Sequence, residues 1–452
     1  MSTTGDGELL ALATRVAGWA GAGEQVEAYV ARSRDTDVVV YGGEIESLSS
    51  ATSEGVGIRV VAGGRQGFAY AGSLDEAVVA ETFGEARDNA GFATVDEFIG
   101  LATPDGMEAV DQDLWRDDLL EFPAAEKVEM AMELERRVKA GDPRIRSVES
   151  ANYGDGALET AIATSTGIAS SSRRTGCYVS AYALAGEGDE TQSGGGYSTG
   201  RAQSELDLEK ATADAVERST RLLGARKPPS ARLTVVLDRR VTSTLLSILG
   251  GTLNGEAVLK GRSLFAQRLG EEVGAASLTL VDDPTDPDAY GASTYDAEGL
   301  ASRRNVLIAG GVVQGFVYDT YAGRRAGVPS TGSAVRAGFK SAPGAGCRAL
   351  SLAPGDKSQE EILELVGSGL LVQSISGVHS GVNAVSGDFS VGAEGLMIRE
   401  GALAEPVREI TIASTIQRML KAVVAVGDDL EWLPGSAAGV TLAIADMSMS
   451  GA

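Results

Sequence analysis

Histidine is almost missing from this sequence: His379 is the only one in 452 residues. That excludes H-E-x-x-H, H-E-x-x-x-H and every other zinc motif built on two histidines of one chain. A Ser-His-Asp triad would have to use His379, and no S-x-x-K pair is present. Cysteine is nearly as scarce. Cys177 and Cys347 lie far apart and form no C-x-x-C pattern, which argues against a disulfide scaffold and fits a reducing compartment. No uncharged apolar run reaches the length of about 18 residues needed to cross a bilayer. The amino-terminal stretch is acidic before its apolar part, which Arg15 interrupts, so it reads as neither signal peptide nor anchor. A cytoplasmic location is expected. Basic residues are in deficit, 39 against 63 acidic ones, for a net charge of −24. Such a surface repels nucleic acid and anionic lipid, so neither is an expected partner. It favours solubility, and it suits a basic peptide or subunit. Aromatics make up only 5%, whereas there are 59 glycines without a fixed period, which points to many turns and hairpins.

The length calls for two or three domains. A first α+β unit is expected over residues 1–100. It opens with an amphipathic helix carrying Leu9, Leu12, Val16 and Trp19. The short β-rich runs EAYVARS, DVVVYGG and EIESLSS follow, then a hairpin turning at Gly63-Gly64, where positive φ is needed. A second helix runs to about Ala90, with Ser73 as its expected N-cap. The second α+β unit spans 115–226. Pro123 opens its helix, which Gly141 and Pro143 close. Alternating strands follow, with the TSTG tetrad at 164–167 as a turn and SGGGYSTG at 193–200 as a loop. After a helix from Ser204 to Leu223, ARKPPSAR reads as a linker. The third unit, 231–452, is β-rich, with a buried strand at LTVVLD and hairpins over Gly310-Gly311 and within GLMIREGALAEPVREITIA. No linear repeat of 20–50 residues is visible.

Few motifs carry chemistry. SGGGYSTG lacks the Gly-Lys-Ser/Thr ending of a phosphate loop. Asp282, Asp283, Asp286 and Asp288 in VDDPTDPDAYG are close enough in sequence for Ca²⁺ or Mg²⁺, but the spacing is not that of an EF-hand. A solvated acidic turn is expected there. His379 is flanked by small residues, consistent with a local hydrogen bond or a groove lining. The residues alone yield no catalytic constellation and no metal site.

Five segments, in order and across nearly the whole chain, resemble the TldD/PmbA peptidase family, in which PmbA is also called TldE. They are EIESLSSATSEGVGIRVVAGGRQGFAYAG, LNGEAVLKGRSLFAQRLGEEV, DAEGLASRRNVLIAGGVVQGFVYDTYAGRRAG, GVHSGVNAVSGDFSVGAEGLMIREGALAEPVREITIA and the terminal VTLAIADMSMSGA. The resemblance implies a three-part α+β architecture with a β-rich C-terminal domain, and dimers. It also implies that TldD-type subunits bind zinc through an HExxxH helix and a cysteine near the C-terminus, whereas TldE-type subunits do not. Sliding KGRSLF onto the family text places Leu246, Ser247 and Gly251 at the His, Glu and His positions, and DDLEWLPGSAAG contains no cysteine. The chain therefore resembles the TldE-like, non-catalytic half of a zinc peptidase acting on unfolded peptides. Zinc is expected in a TldD-like partner and no cofactor in this chain. The alternatives are a metal-free homodimer that binds peptides, or a repurposed member using groups such as Glu256, Tyr321 or Asp388. Since sheet edges bind extended peptides through the main chain, the third unit is expected to supply one wall of a peptide channel. Its candidate substrate-binding residues are His379, Asn383, Ser386, Asp388, Phe389 and Ser390, each with a structural β-turn as the competing role.

Overall fold

The runs EAYVARS and DVVVYGG join into one 18-residue strand, β1 (Glu24–Tyr41), in the computed structural model, which describes residues 5–451. Gly42 and Gly43, both at positive φ, turn the chain into β2 (Glu44–Ala62), and Gly63-Gly64 turn it again into β3 (Arg65–Ala71). This hairpin stack sits between helices α1 (Gly5–Ala17) and α2 (Glu76–Phe92) in sequence. The cap of α2 is Asp75, not Ser73. The Asp75 carboxylate accepts from the N–H groups of Ala77 and Val78, and the Ser73 hydroxyl accepts from the N–H of Asp75. A carboxylate at the residue directly preceding the helix reaches those donors best.

The second unit repeats the same order of elements: helix α3 (Ala124–Gly141), strands β4 (Ile145–Thr164), β5 (Ala169–Glu187) and β6 (Glu190–Gly200), then helix α4 (Leu208–Thr220). The SGGGYSTG segment belongs to strand β6 and is not a loop. Its glycines are there for packing. A Cβ on Gly196 would stand 1.9 Å from the Ala211 carbonyl, and one on Gly194 would stand 2.2 Å from the Ser219 nitrogen, so α4 can settle on this strand only because both are glycine. Gly67 on β3 does the same beneath α2.

The two units share one six-stranded sheet in the order β3-β2-β1-β4-β5-β6, joined by antiparallel pairing of β1 with β4. Alternation along β1 sends Val26, Ala28 and Val30 toward α1 and α2, and Val38 and Val40 toward α3 and α4. Each of these fully buried valines is worth about 1.5–3 kcal/mol relative to exposure.

The third unit is a closed barrel. Strands β7 (Ala231–Leu237), β8 (Gly369–Ser376), β9 (Asp388–Arg399), β10 (Ala402–Thr415) and β12 (Leu442–Ser450) form a ring in which β10 pairs back onto β12, with β11 (Val423–Val426) added beside β12. Only β7 and β8 run parallel. Val235 and Leu237 enter the main core while Val236 enters a second cluster with Ile362 of helix α6 (Gln359–Val366). A strand buried on both faces reads as the continuous apolar run LTVVL. Helix α5 (Arg239–Thr252) feeds Val241, Leu245, Leu246 and Leu249 into the main core. A smaller four-stranded sheet lies between β7 and β8 in sequence and includes the expected hairpin at Gly310-Gly311.

The bare face of the six-stranded sheet packs on the third unit. At that junction Glu27 of β1 accepts from Arg59 of β2 and, at 2.8 Å, from Arg336 of the third unit. Glu298 lies 3.6 Å from Arg59, and all four side chains are buried. Burial alone would raise the Glu27 pKa, but Arg59 and Arg336 hold it down at about 2.

Candidate functional site

Helix α5 is where the resemblance locates metal ligands. Leu246 is buried in the core, the Ser247 hydroxyl donates to the Ser243 carbonyl at 3.0 Å, and Gly251 carries no side chain. Among the described residues no group of three or more His, Cys, Asp or Glu side chains is close enough to hold a metal ion. The residues at this position do not fit zinc. The acidic stretch is a turn at Asp283, Asp286 and Asp288, but Asp282 departs from expectation: it is fully buried and accepts from the N–H groups of Arg348 and Ala349 at 2.8 Å. Burial raises its pKa to about 6, against the pull of those two donors. Cys177 and Cys347 are free thiols, and burial pushes Cys177 up to about 12.

Five of the six candidate residues of the third unit lie together on the surface where the chain enters β9. Asn383 accepts from the N–H groups of Val385 and Ser386, and the Ser386 hydroxyl donates to Asp388 at 2.6 Å. This is an Asx turn closed by a side-chain hydrogen bond. His379 is exposed on the four-residue helix Val378–Gly381, and Ser390 is exposed on β9. Phe389 is different: it is 2% exposed and packs in the main core, so its ring lines no groove. Of the other acid–base groups, Tyr321 donates to Asp96 at 2.7 Å and Glu256 pairs with Lys260.

Two sizeable concavities lie elsewhere, between the bare face of the six-stranded sheet and the loops of the third unit. Two chambers of about 500 and 720 Å³ share Ser33, Leu158 and Arg174 in their walls. Tyr29, Ala31 and Ser33 face the chambers from β1, being the alternate residues to those under the helices. The smaller chamber is lined by Arg173, Arg174, Arg336, Lys340 and Arg348, with Asp296 the one carboxylate. Asp296 is buried and accepts three backbone N–H groups, while burial and the nearby Glu298 push its pKa upward. The larger chamber carries more acid than base, with Asp35, Asp37, Asp113, Asp155, Glu205 and Asp288 in its wall beside Arg116, Arg174 and Arg201. None of these cations was singled out from sequence. The pair Arg173-Arg174 in an otherwise acidic chain was the available signal, but the loops that complete the chamber come from residues more than a hundred positions away.

Three domain models of the PmbA/TldA metallopeptidase family match in order: domain 1 over residues 26–90, the central domain over 117–223 and the C-terminal domain over 230–451. The metalloprotease PmbA of Escherichia coli is 27% identical over 414 residues, covering 91% of this chain and 89% of that one. A metalloprotease TldD homologue of Haemophilus influenzae is 27% identical over 423 residues, covering 90% and 86%. The solved TldE of Thermococcus kodakarensis has the same fold, with a TM-score of 0.86 at 22% identity over 94% of this chain and 97% of that one.

Proposed function

Since the chain belongs to the PmbA/TldD metallopeptidase family, we propose that it is a TldE-like subunit which handles unfolded peptide for a zinc-bearing, TldD-like partner. The observation that carries this reading is helix α5, on which Leu246, Ser247 and Gly251 offer no metal ligand within an otherwise complete family fold. A subunit without metal can still contribute, because holding a peptide extended against the reacting centre supplies several kcal/mol. Two features suit that task. One is the pair of adjoining chambers, which share Ser33, Leu158 and Arg174 in their walls. The other is β2, whose residues 44–53 are exposed and pair only with β1, leaving a free edge for main-chain hydrogen bonds. No helix among the described residues is long and apolar enough to cross a membrane; free thiols and an acidic surface suit the cytoplasm.

The test measures zinc content and hydrolysis of an unfolded peptide, with this chain alone and mixed with a TldD-like protein of the same source. Activity and co-elution only in the mixture are expected. Stoichiometric zinc or proteolysis from the chain alone would overturn the reading. A partner-free homodimer stabilised by peptide, with no gain on mixing, would replace it with the metal-free binding module.

A further inference from the structure

A protein of net charge −24 has little cause to gather cations, yet four of the five lining the smaller chamber have no carboxylate within ion-pair distance among the described residues. Arg174 and Lys340 are exposed and unpaired, with Lys340 resting over the Phe339 ring. Arg173 lies over Trp115, and Arg348 reaches only the Tyr295 carbonyl, at 2.9 Å. The fifth, Arg336, has a side chain only 2% exposed, and its Nε and Nη1 are buried without a hydrogen-bond partner. Buried guanidinium donors are normally matched. Arg174 also opposes the charge of both Arg348 and Arg201. Five cations thus face one cavity against a single lining carboxylate, Asp296, with Arg336 alone ion-paired, to Glu27, and such an excess describes a site that lacks its anion.

The shape and surroundings select the anion. The chamber's volume is within the range of ligand sites, and it adjoins the larger chamber across Ser33, Leu158 and Arg174, so the two together offer room for a chain and not only an ion. Tyr29, Ile162 and Phe339 give it apolar walls. Asp35, Asp37 and Asp288 of the neighbouring chamber repel a polyanion but accept amide or ammonium groups. Guanidinium forks match a planar carboxylate with two parallel hydrogen bonds. We propose that the basic chamber is a subsite for the carboxylate of an extended peptide, engaged by Arg174, Lys340 and Arg348, with the peptide continuing into the acidic chamber. This rests on the peptide-handling reading and adds to it a charge requirement.

The experiment uses the full chain alone and fluorescence anisotropy with an amino-terminally labelled unstructured peptide. Its forms are the free acid, the C-terminal amide, and amides containing one internal Glu or the matching Gln. A charge-assisted hydrogen bond is worth about 1.5–3 kcal/mol, so a carboxylate form should bind at least roughly tenfold more tightly than its neutral twin. The free-acid pair and the Glu/Gln pair tell a terminal carboxylate from a side-chain one. The double variant Arg174→Gln, Lys340→Gln breaks no ion pair of the fold, and its unchanged melting curve would be the control. In it the preference should vanish while affinity for the amide stays. Equal affinity of the wild type for all forms overturns the subsite but leaves peptide handling standing, as does a preference that survives in the double variant. Absence of binding to any form overturns the subsite, and together with no activation of a TldD-like partner it removes the wider reading as well. Tighter binding of a duplex oligonucleotide than of any peptide would also overturn it.

Discussion

Asp282 and Glu27 are buried carboxyls whose environments push in opposite directions. For Asp282, and for Asp319 with a pKa also raised to about 6 mainly by burial, the folded state holds its proton more tightly than the unfolded chain. The charged form therefore costs stability near neutrality. The fold gains as pH falls through about 6 toward the ordinary carboxylate range. Glu27 has its pKa lowered, so its contribution is complete above the ordinary value and is lost as pH falls toward about 2. Thermal melts across pH should thus show maximal stability in mildly acid solution. Asp282→Asn keeps one oxygen for the Arg348 and Ala349 N–H groups and removes the charge, so its melting temperature should vary less between pH 5 and 7. Glu27→Gln should cost about 3 kcal/mol in urea unfolding at pH 7, because it leaves Arg59 and Arg336 buried without their shared counter-ion. Such pairs are invisible in sequence: Glu27 and Arg336 are 309 positions apart, and nothing local marks either as buried.

Elements were legible where their signals are local. The Gly63-Gly64 and Gly310-Gly311 turns lie where two glycines between apolar runs place them, and Pro123 stands at the start of α3. What misled was glycine itself. Three in a row suggested a loop at SGGGYSTG, but two of them are small so that a helix can lie on the strand, a demand visible only once α4 is in place. Gly196→Ala tests this: the added Cβ should push α4 from β6 and cost about 1–3 kcal/mol of stability, read by chemical denaturation. The same change at Gly188, where a Cβ meets nothing, should disturb no packing, although its positive φ favours glycine. The candidate site fared worse than the elements. The turn around Asn383 was found as a cluster because its residues are neighbours in sequence, whereas the cation-lined chamber draws on β5 and two distant loops.

At the scale of the molecule, the sequence reads as an α+β pair of units followed by a β-rich third. Left unread was the relation between the first two. They share the order helix, three strands, helix, and they meet strand to strand at the middle of one sheet. Their likeness lies in topology and in the close-packing glycines Gly67 and Gly196, not in repeated text. A fragment ending before α3 would strip β1 of its β4 partner and leave Val38 and Val40 without α3 and α4 to cover them. It should be aggregated or unfolded by circular dichroism and sedimentation, whereas a fragment through residue 226 should retain ordered sheet.

The barrel and the open sheet also differ in how they meet other copies of themselves. The ring of strands ends only in the four-residue β11, a short edge, whereas β2 offers a long exposed one. It carries neither lysine nor proline, the usual guards of such an edge; Glu44 and Glu46 stand there instead. Crowded copies are kept apart by repulsion between acidic surfaces, a guard that dissolved salt weakens. Colloidal behaviour of this protein is therefore governed by ionic strength, and the ten residues 44–53 are where self-assembly would begin.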